Sequence, residues 1–222
     1  MKCPRLLPIT LVALTGLAGC GKDTVADVLV AHHGFIKLAF ADALRTEVAE
    51  AFAIDPAYLT QRETKEHPIS VLALDRCLDT AFVERMANVL KNACLSPQLL
   101  SVPRSPRQIM QWWGTEYRRT QHPDYWVDKA HGEIAAMQMS GRDRFVISDC
   151  RFENEAALVR RLEGSIWQVI RPSITLPSDA HVSETEGGQF LPDVLLGNTH
   201  SIEHLQLQAL AACNRLTLAE AA

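Results

Sequence analysis

The chain has 222 residues, 47% hydrophobic and 22% charged, with a formal net charge of −4. That balance suits one domain with a full core, and no apolar run approaches the ~20 residues of a membrane span. The acidic excess argues against a nucleic-acid-binding surface, which shows a basic one. Six cysteines (Cys3, Cys20, Cys77, Cys94, Cys150 and Cys213) lack C-x-x-C spacing, which excludes a sequence-evident zinc site or disulfide framework. They read as reduced thiols of a cytoplasmic protein.

The apolar run Ile9–Leu14 predicts a first strand, and Val25–His32 an amphipathic helix. Between them, Gly16, Gly21 and Lys22 fit the phosphate-loop pattern G-x-x-x-x-G-K-[ST], with Asp23 where a hydroxyl is expected. Glycines let successive backbone N–H groups curl around an anion, the helix aims its positive end at it, and Lys22 adds a mobile charge. The loop therefore predicts binding of a nucleoside triphosphate. With Asp23 at the metal position, either its carboxylate or the Thr24 hydroxyl is left to serve Mg²⁺. A competing reading, a lipoprotein signal ending at Cys20, would make the glycines and Lys22 coincidental. It also needs a solvated tether where a helix follows at once.

The first helix stops at Gly34, Phe35–Phe40 is a short second strand, and Asp42 caps a helix with the stripe Leu44, Val48 and Phe52. Residues 54–68 form a loop or short-helix arm, whose charges Arg62, Glu63, Lys65 and Glu66 read equally as a solvated face. A helix is expected over Thr80–Ala93, then a Pro-rich linker. A helix opening at Ser105 or Pro106 carries Arg107, Ile109, Trp112 and Trp113 and ends near Gly114. Tyr125–Ser140 is a further helix. Trp112 and Trp113, adjacent on this apolar stretch, are read as core.

Arg144–Ser148 is a buried-type strand ending at Asp149, with Arg151 two residues on; a helix over Glu153–Glu163 and a strand over Ile166–Ile170 follow. Residues 171–190 show no sustained period and form a lid candidate rooted at Arg171. Asp193–Leu196 is the last strand, and Ser201 caps the last helix. The alternation predicts an α/β fold of the P-loop NTPase kind: about five parallel strands with helices on both faces. The core comprises residues 1–45 and 141–222, with a helical insertion over 46–140. Right-handed crossovers then bring the phosphate loop, residues 40–45, 149–151 and Arg171 to one edge. A donor loop, a lid and an insertion carrying Arg62, Lys65, Arg104, Arg107, Arg118 and Arg119 are the parts of a small-molecule kinase, which must neutralise two phosphorylated partners and exclude water.

The loop 16–24, Phe40-Ala41-Asp42, residues 106–115, Asp124–Val127 and 148–155 together resemble the deoxynucleoside monophosphate kinases of phages and bacteria. The G-K-D-T form of the loop is itself similar to that family's. The resemblance implies transfer of the γ-phosphoryl of ATP, with Mg²⁺, to a (deoxy)nucleoside 5′-monophosphate, and it leaves monomer and homodimer open. The charge and the lack of a long apolar run lead to the expectation of no nucleic-acid or membrane partner. Gly16, Ala18, Gly19, Cys20, Gly21, Lys22, Asp23 and Thr24 would hold the donor phosphates, with Asp23, Thr24 and Asp149 serving the metal. Phe40, Asp42, Arg62, Lys65, Arg107, Gly114, Thr115 and Trp126 would border the acceptor. Arg151 would reach the acceptor or the transferring phosphoryl, and Glu155 would hold an arginine in place. Lys22, Arg151 and Arg171 are the implied catalytic charges, although no arginine follows Arg171 within the lid. Asn198 is a further candidate near the adenine and His181 a lid residue. Another monophosphate, dephospho-coenzyme A or phosphomevalonate, is the alternative acceptor; a nucleotide-binding regulatory ATPase is the alternative class.

Overall fold

The computed structural model describes residues 8–61, 65–90, 97–174 and 190–220. The lid candidate, but for Arg171–Ile174 and Phe190, lies outside these residues, as do Arg62 and His181. The chain divides into two units, Met1–Phe40 with Ala130–Ala222, and Ala41–Lys129.

The first unit is built on five parallel strands in the order β2-β3-β1-β4-β5. These are β1 (Thr10–Thr15), β2 (Ile36–Leu38), β3 (Arg144–Ile147), β4 (Ser165–Ile170) and β5 (Val194–Gly197). The central strand β1 is buried along its whole length, as a strand covered on both faces must be. Its Val12 and Leu14 join Val146, Trp167 and Val169 in one core with Val25 and Leu29 of α1 (Lys22–His33) and Leu205 and Ala209 of the last helix, Ile202–Glu220. On β1's other side, Leu11 lies beside Gly164 and Val159, where the helix Glu153–Arg161 packs against β1 and β4. Helices thus cover both faces, as the alternation predicts. The fold is the α/β arrangement of P-loop proteins.

The second unit has its own core, in which Val48, Phe52, Leu59, Leu72, Phe82, Met86, Ile109, Trp113 and Tyr117 are buried. It contains most of α2 (Phe40–Phe52), then α3 (Ala57–Thr60), α4 (Thr80–Val89), α5 (Pro97–Leu100), α6 (Pro106–Gln111) and the start of α7 (Tyr125–Met139). The helices Glu153–Arg161 and Ile202–Glu220 of the first unit are α8 and α9. Phe82 packs on Trp113 at 4.7 Å and Tyr117 at 5.5 Å, aromatic pairs worth about 0.5–1.5 kcal/mol each beyond their buried area.

Three expected boundaries shift. The second strand stops at Leu38 and Phe40 already opens α2, so Asp42 stands in that helix's first turn rather than before it. Helix α4 ends at Val89, and residues 91–93 lie outside the described ones. The chain does not end its helix at Gly114. It widens into a π-helix over Trp112–Arg119, where buried Trp113, Gly114 and Tyr117 hold the turn against the core.

Candidate active site

The parallel sheet delivers every strand's carboxyl end to one edge, and the first unit's chemistry gathers there. Beyond Thr15 the backbone turns at Gly16 with φ +132°, where an added Cβ would lie 2.3 Å from the Val169 carbonyl oxygen. Gly21 precedes α1 with φ +111°, and a Cβ there would strike Leu205 and Asn198. Only glycine fits either place. The result is a curled segment ahead of a helix's positive end, the build of an anion nest. Cys20 is 1% exposed beneath it, and Asn198 Nδ2 donates to the Cys20 carbonyl at 2.8 Å.

Lys22 Nζ folds back over the loop, donating to the carbonyls of Gly16 at 2.8 Å and Leu17 at 2.9 Å. Burial lowers its pKa, and the Arg151 charge acts the same way, while Cys20, Asp23 and Asp149 oppose them. Asp149 and Arg151 are therefore within electrostatic reach of Lys22. Asp149 Oδ1 accepts the Phe40 N–H at 2.7 Å, tying the end of β3 to the start of α2. Glu155 is 2% exposed, and its Oε2 accepts the N–H groups of Arg151 at 2.8 Å and Phe152 at 3.1 Å. Glu155 holds the backbone that carries Arg151 by capping α8 from its third position. The Arg151 guanidinium makes no hydrogen bond or ion pair to another described residue.

Asp23 is largely exposed and pairs with Lys37 at 2.9 Å, where Asp27 is the second partner. Burial lowers the Lys37 pKa, but the two carboxylates outweigh it and hold the ammonium above its ordinary value. Mg²⁺ prefers hard oxygens and is commonly held by one or two carboxylates together with substrate phosphates. By donor chemistry the Asp149 carboxylate, the Thr24 hydroxyl and the Asp23 carboxylate all suit such an ion, with Asp23 already paired to Lys37. Among the described residues no group of three His, Cys, Asp or Glu forms a separate metal cage. Arg171, past the end of β4, lines a cavity of about 320 Å³ with Pro172, Ser173, Asn198, Thr199 and His200.

Within the second unit, Asp42 pairs with Arg45 at 2.6 Å. Arg107 donates its backbone N–H to the Lys65 carbonyl at 3.0 Å and pairs through its guanidinium with Glu66. Gly114 and Thr115 lie on the π-helix. Trp126 is 3% exposed and donates its indole N–H to the Gly114 carbonyl at 3.1 Å. It is thus packed in the second unit's core and braces the π-helix. The sequence reading also missed Glu47. Its carboxylate accepts from Trp113 Nε1 at 3.0 Å, Arg118 Nε at 2.9 Å and the Tyr125 hydroxyl at 2.5 Å. Burial pushes the Glu47 carboxyl up, but these donors outweigh it and hold it below the usual range. The Arg118 guanidinium lies over Trp113, Tyr117 and Tyr125 at 4.7–5.3 Å. The only sequence signal was that Glu47 precedes Val48 of the apolar stripe of α2, and nothing in the sequence sets it apart from Glu50 on the same helix.

No helix among the described residues is long and apolar enough to cross a membrane. A curated mimivirus protein (Acanthamoeba polyphaga mimivirus) named "Putative deoxynucleotide monophosphate kinase" is 29% identical over 216 residues, covering 91% of this chain and 95% of that protein. The deoxynucleoside-5′-monophosphate kinase of Escherichia phage T5 is 26% identical over 243 residues, covering 92% and 96%. Among solved structures, a dephospho-CoA kinase from Campylobacter jejuni superposes with a TM-score of 0.46 at 12% identity, over 93% of this chain and 96% of its own. That likeness is too loose to inform substrate or mechanism. The family model for deoxynucleotide monophosphate kinase matches residues 78–208, more than half of the chain. Carrying a phosphate loop on a five-stranded parallel sheet, the chain belongs to the deoxynucleotide monophosphate kinase family, whose enzymes are phosphotransferases.

Proposed function

We propose that this kinase transfers the γ-phosphoryl of ATP to a (deoxy)nucleoside 5′-monophosphate, giving the diphosphate. The observation that carries the reading is Lys22, folded over a glycine-turned loop and within the fields of Asp149 and Arg151. Phosphoryl transfer needs little covalent help from a protein; it needs positioning and neutralised charge. In this reading the backbone from Gly16 to Gly21 cradles the donor's β and γ phosphates. Lys22 releases the two carbonyls it now holds and takes the phosphate oxygens instead. Its lowered pKa reflects a desolvated ammonium, whose charge acts more strongly in a dry site.

Thr24 and Asp149 would hold Mg²⁺, which, when bound, neutralises charge on the phosphate oxygens. Arg151 keeps a guanidinium uncommitted to any described carboxylate, which supports a role on the acceptor phosphate or the transferring group. Glu155 fixes the backbone beneath it. Arg171 is the further candidate for stabilising transition-state charge. Arg107, Gly114 and Thr115, with Lys65 and Asp42, are the candidates for acceptor recognition. The acceptor oxygen is already ionised, so no general base is required.

The test is a coupled assay of ADP formation with MgATP and a panel of dNMPs, NMPs, dephospho-coenzyme A and phosphomevalonate. Stimulation by one or more nucleoside monophosphates supports the reading. Stimulation by a non-nucleotide acceptor alone would replace it.

A further inference from the structure

The last helix begins beside a pair of imidazoles for which phosphoryl transfer has no use. His200 and His204 have ring centroids 4.9 Å apart, with planes at 50°. Both side chains are exposed, and the Thr199 hydroxyl engages Nδ1 of His200 at 2.8 Å. That contact leaves Nε2 of His200 as the open nitrogen and fixes the ring, the part a second-sphere hydrogen bond plays for metal-binding histidines. His204 stands in the first turn of the last helix and His200 in the bend just before it, so the two rings meet across the helix's opening.

The separation can be checked against coordination geometry. With metal–nitrogen bonds of about 2.0–2.1 Å, two imidazoles have centroids roughly 4.5 Å apart at a right angle about one ion, and roughly 5.2 Å apart at the tetrahedral angle. The observed spacing falls between these. We infer that His200 and His204 form an exchangeable two-imidazole site for a borderline divalent transition ion, such as Zn²⁺ or Ni²⁺. Imidazole nitrogen suits these ions, whereas Mg²⁺ and Ca²⁺ prefer oxygen. Among the described residues no third His, Cys, Asp or Glu completes a cluster, so water fills the remaining positions and binding is reversible. His200 also lines the cavity shared with Arg171 and Asn198, so a bound ion adds positive charge at that wall.

The experiment is calorimetric titration of tag-free protein with NiCl₂ in neutral buffer, without nucleotide, comparing wild type with His200→Ala, His204→Ala and the double variant. His131→Ala is the control. The expected result is a single micromolar site per chain, weakened at least about tenfold by either single substitution, lost in the double and unchanged in the control. Exposure of both rings makes the variants safe for folding, which circular dichroism checks. Binding only in the millimolar range, or equal binding by the double variant, overturns the inference. Because no nucleotide is present, either outcome is independent of the kinase reading.

Discussion

Asn198 and Cys20 are 178 positions apart in the chain, yet the Asn198 amide donates to the Cys20 carbonyl at 2.8 Å. The loop after the last strand thereby props the phosphate loop from behind. The same amide lies 2.9 Å from where a Gly21 Cβ would be, so the loop is also closed to larger residues.

Asn198→Ala removes this prop while leaving the glycines in place. A hydrogen bond of this kind contributes about 0.5–1.5 kcal/mol, so KM for ATP is expected to rise about 3- to 10-fold with a smaller change in kcat. Steady-state kinetics at saturating acceptor measures the split. An unchanged KM for ATP would show that the loop keeps its shape without Asn198.

Glu155→Ala takes away the acceptor for two backbone N–H groups beneath Arg151. Loss of a helix-capping group costs about 1 kcal/mol, visible as a lower Tm. Because Arg151 then loses its fixed base, kcat is expected to fall about tenfold, beyond what the lost stability explains, with ATP binding nearly unchanged. A lower Tm with full kcat would make Glu155 purely structural.

Glu47 carries a pH dependence. Its folded pKa is below its ordinary value of 4.5, because the Tyr125, Trp113 and Arg118 donors outweigh burial. A depressed carboxylate contributes stability that is fully present above the unfolded pKa and lost as pH falls through the folded one. Thermal melts of the wild type should therefore lose stability below about pH 4.5. Glu47→Gln, less stable at neutral pH by about 1–3 kcal/mol, should lose less over that range. Parallel melting curves for the two proteins would contradict this account.

Tyr125 reports the same cluster from the alkaline side. Burial, and then its hydrogen bond to Glu47, push the phenol up to about 12. The neutral phenol is the form bound in the folded protein. Its contribution is complete below the ordinary value of 10.0 and is lost as pH rises through about 12. Ultraviolet titration of phenolate should show a late step that Tyr125→Phe reduces by one phenol, the rest belonging to Tyr117, which burial also pushes up. Ionisation of all tyrosines near the ordinary value, with the fold intact, would be the opposing result.

How much of this was legible in the sequence follows contact range. The phosphate loop was readable because its chemistry lies within nine consecutive residues, and Asp149 because a buried strand announces its own end. Glu47 was not readable: its partners Trp113, Arg118 and Tyr125 are 66, 71 and 78 positions away, and no spacing rule spans such gaps. Gly114 misled because a glycine in a helical pattern usually marks its end. Here a π-turn carries the helix through it, and Trp126 takes up the Gly114 carbonyl. Trp126 and Glu155 stand in motifs of the family, but the bonds by which each braces a neighbouring backbone became visible only in the fold. Asp23, odd by the loop's usual pattern, makes local sense once Lys37 of the neighbouring strand is seen beside it.

The most direct measurement follows the γ-phosphoryl itself. ATP labelled at that group is incubated with Mg²⁺ and a deoxynucleoside monophosphate, and the products are separated for wild type and Lys22→Ala. The expected outcome is label in the deoxynucleoside diphosphate for wild type, with transfer reduced about 10²–10³-fold in the folded variant. Label found only in inorganic phosphate, or equal transfer by both proteins, would contradict the account.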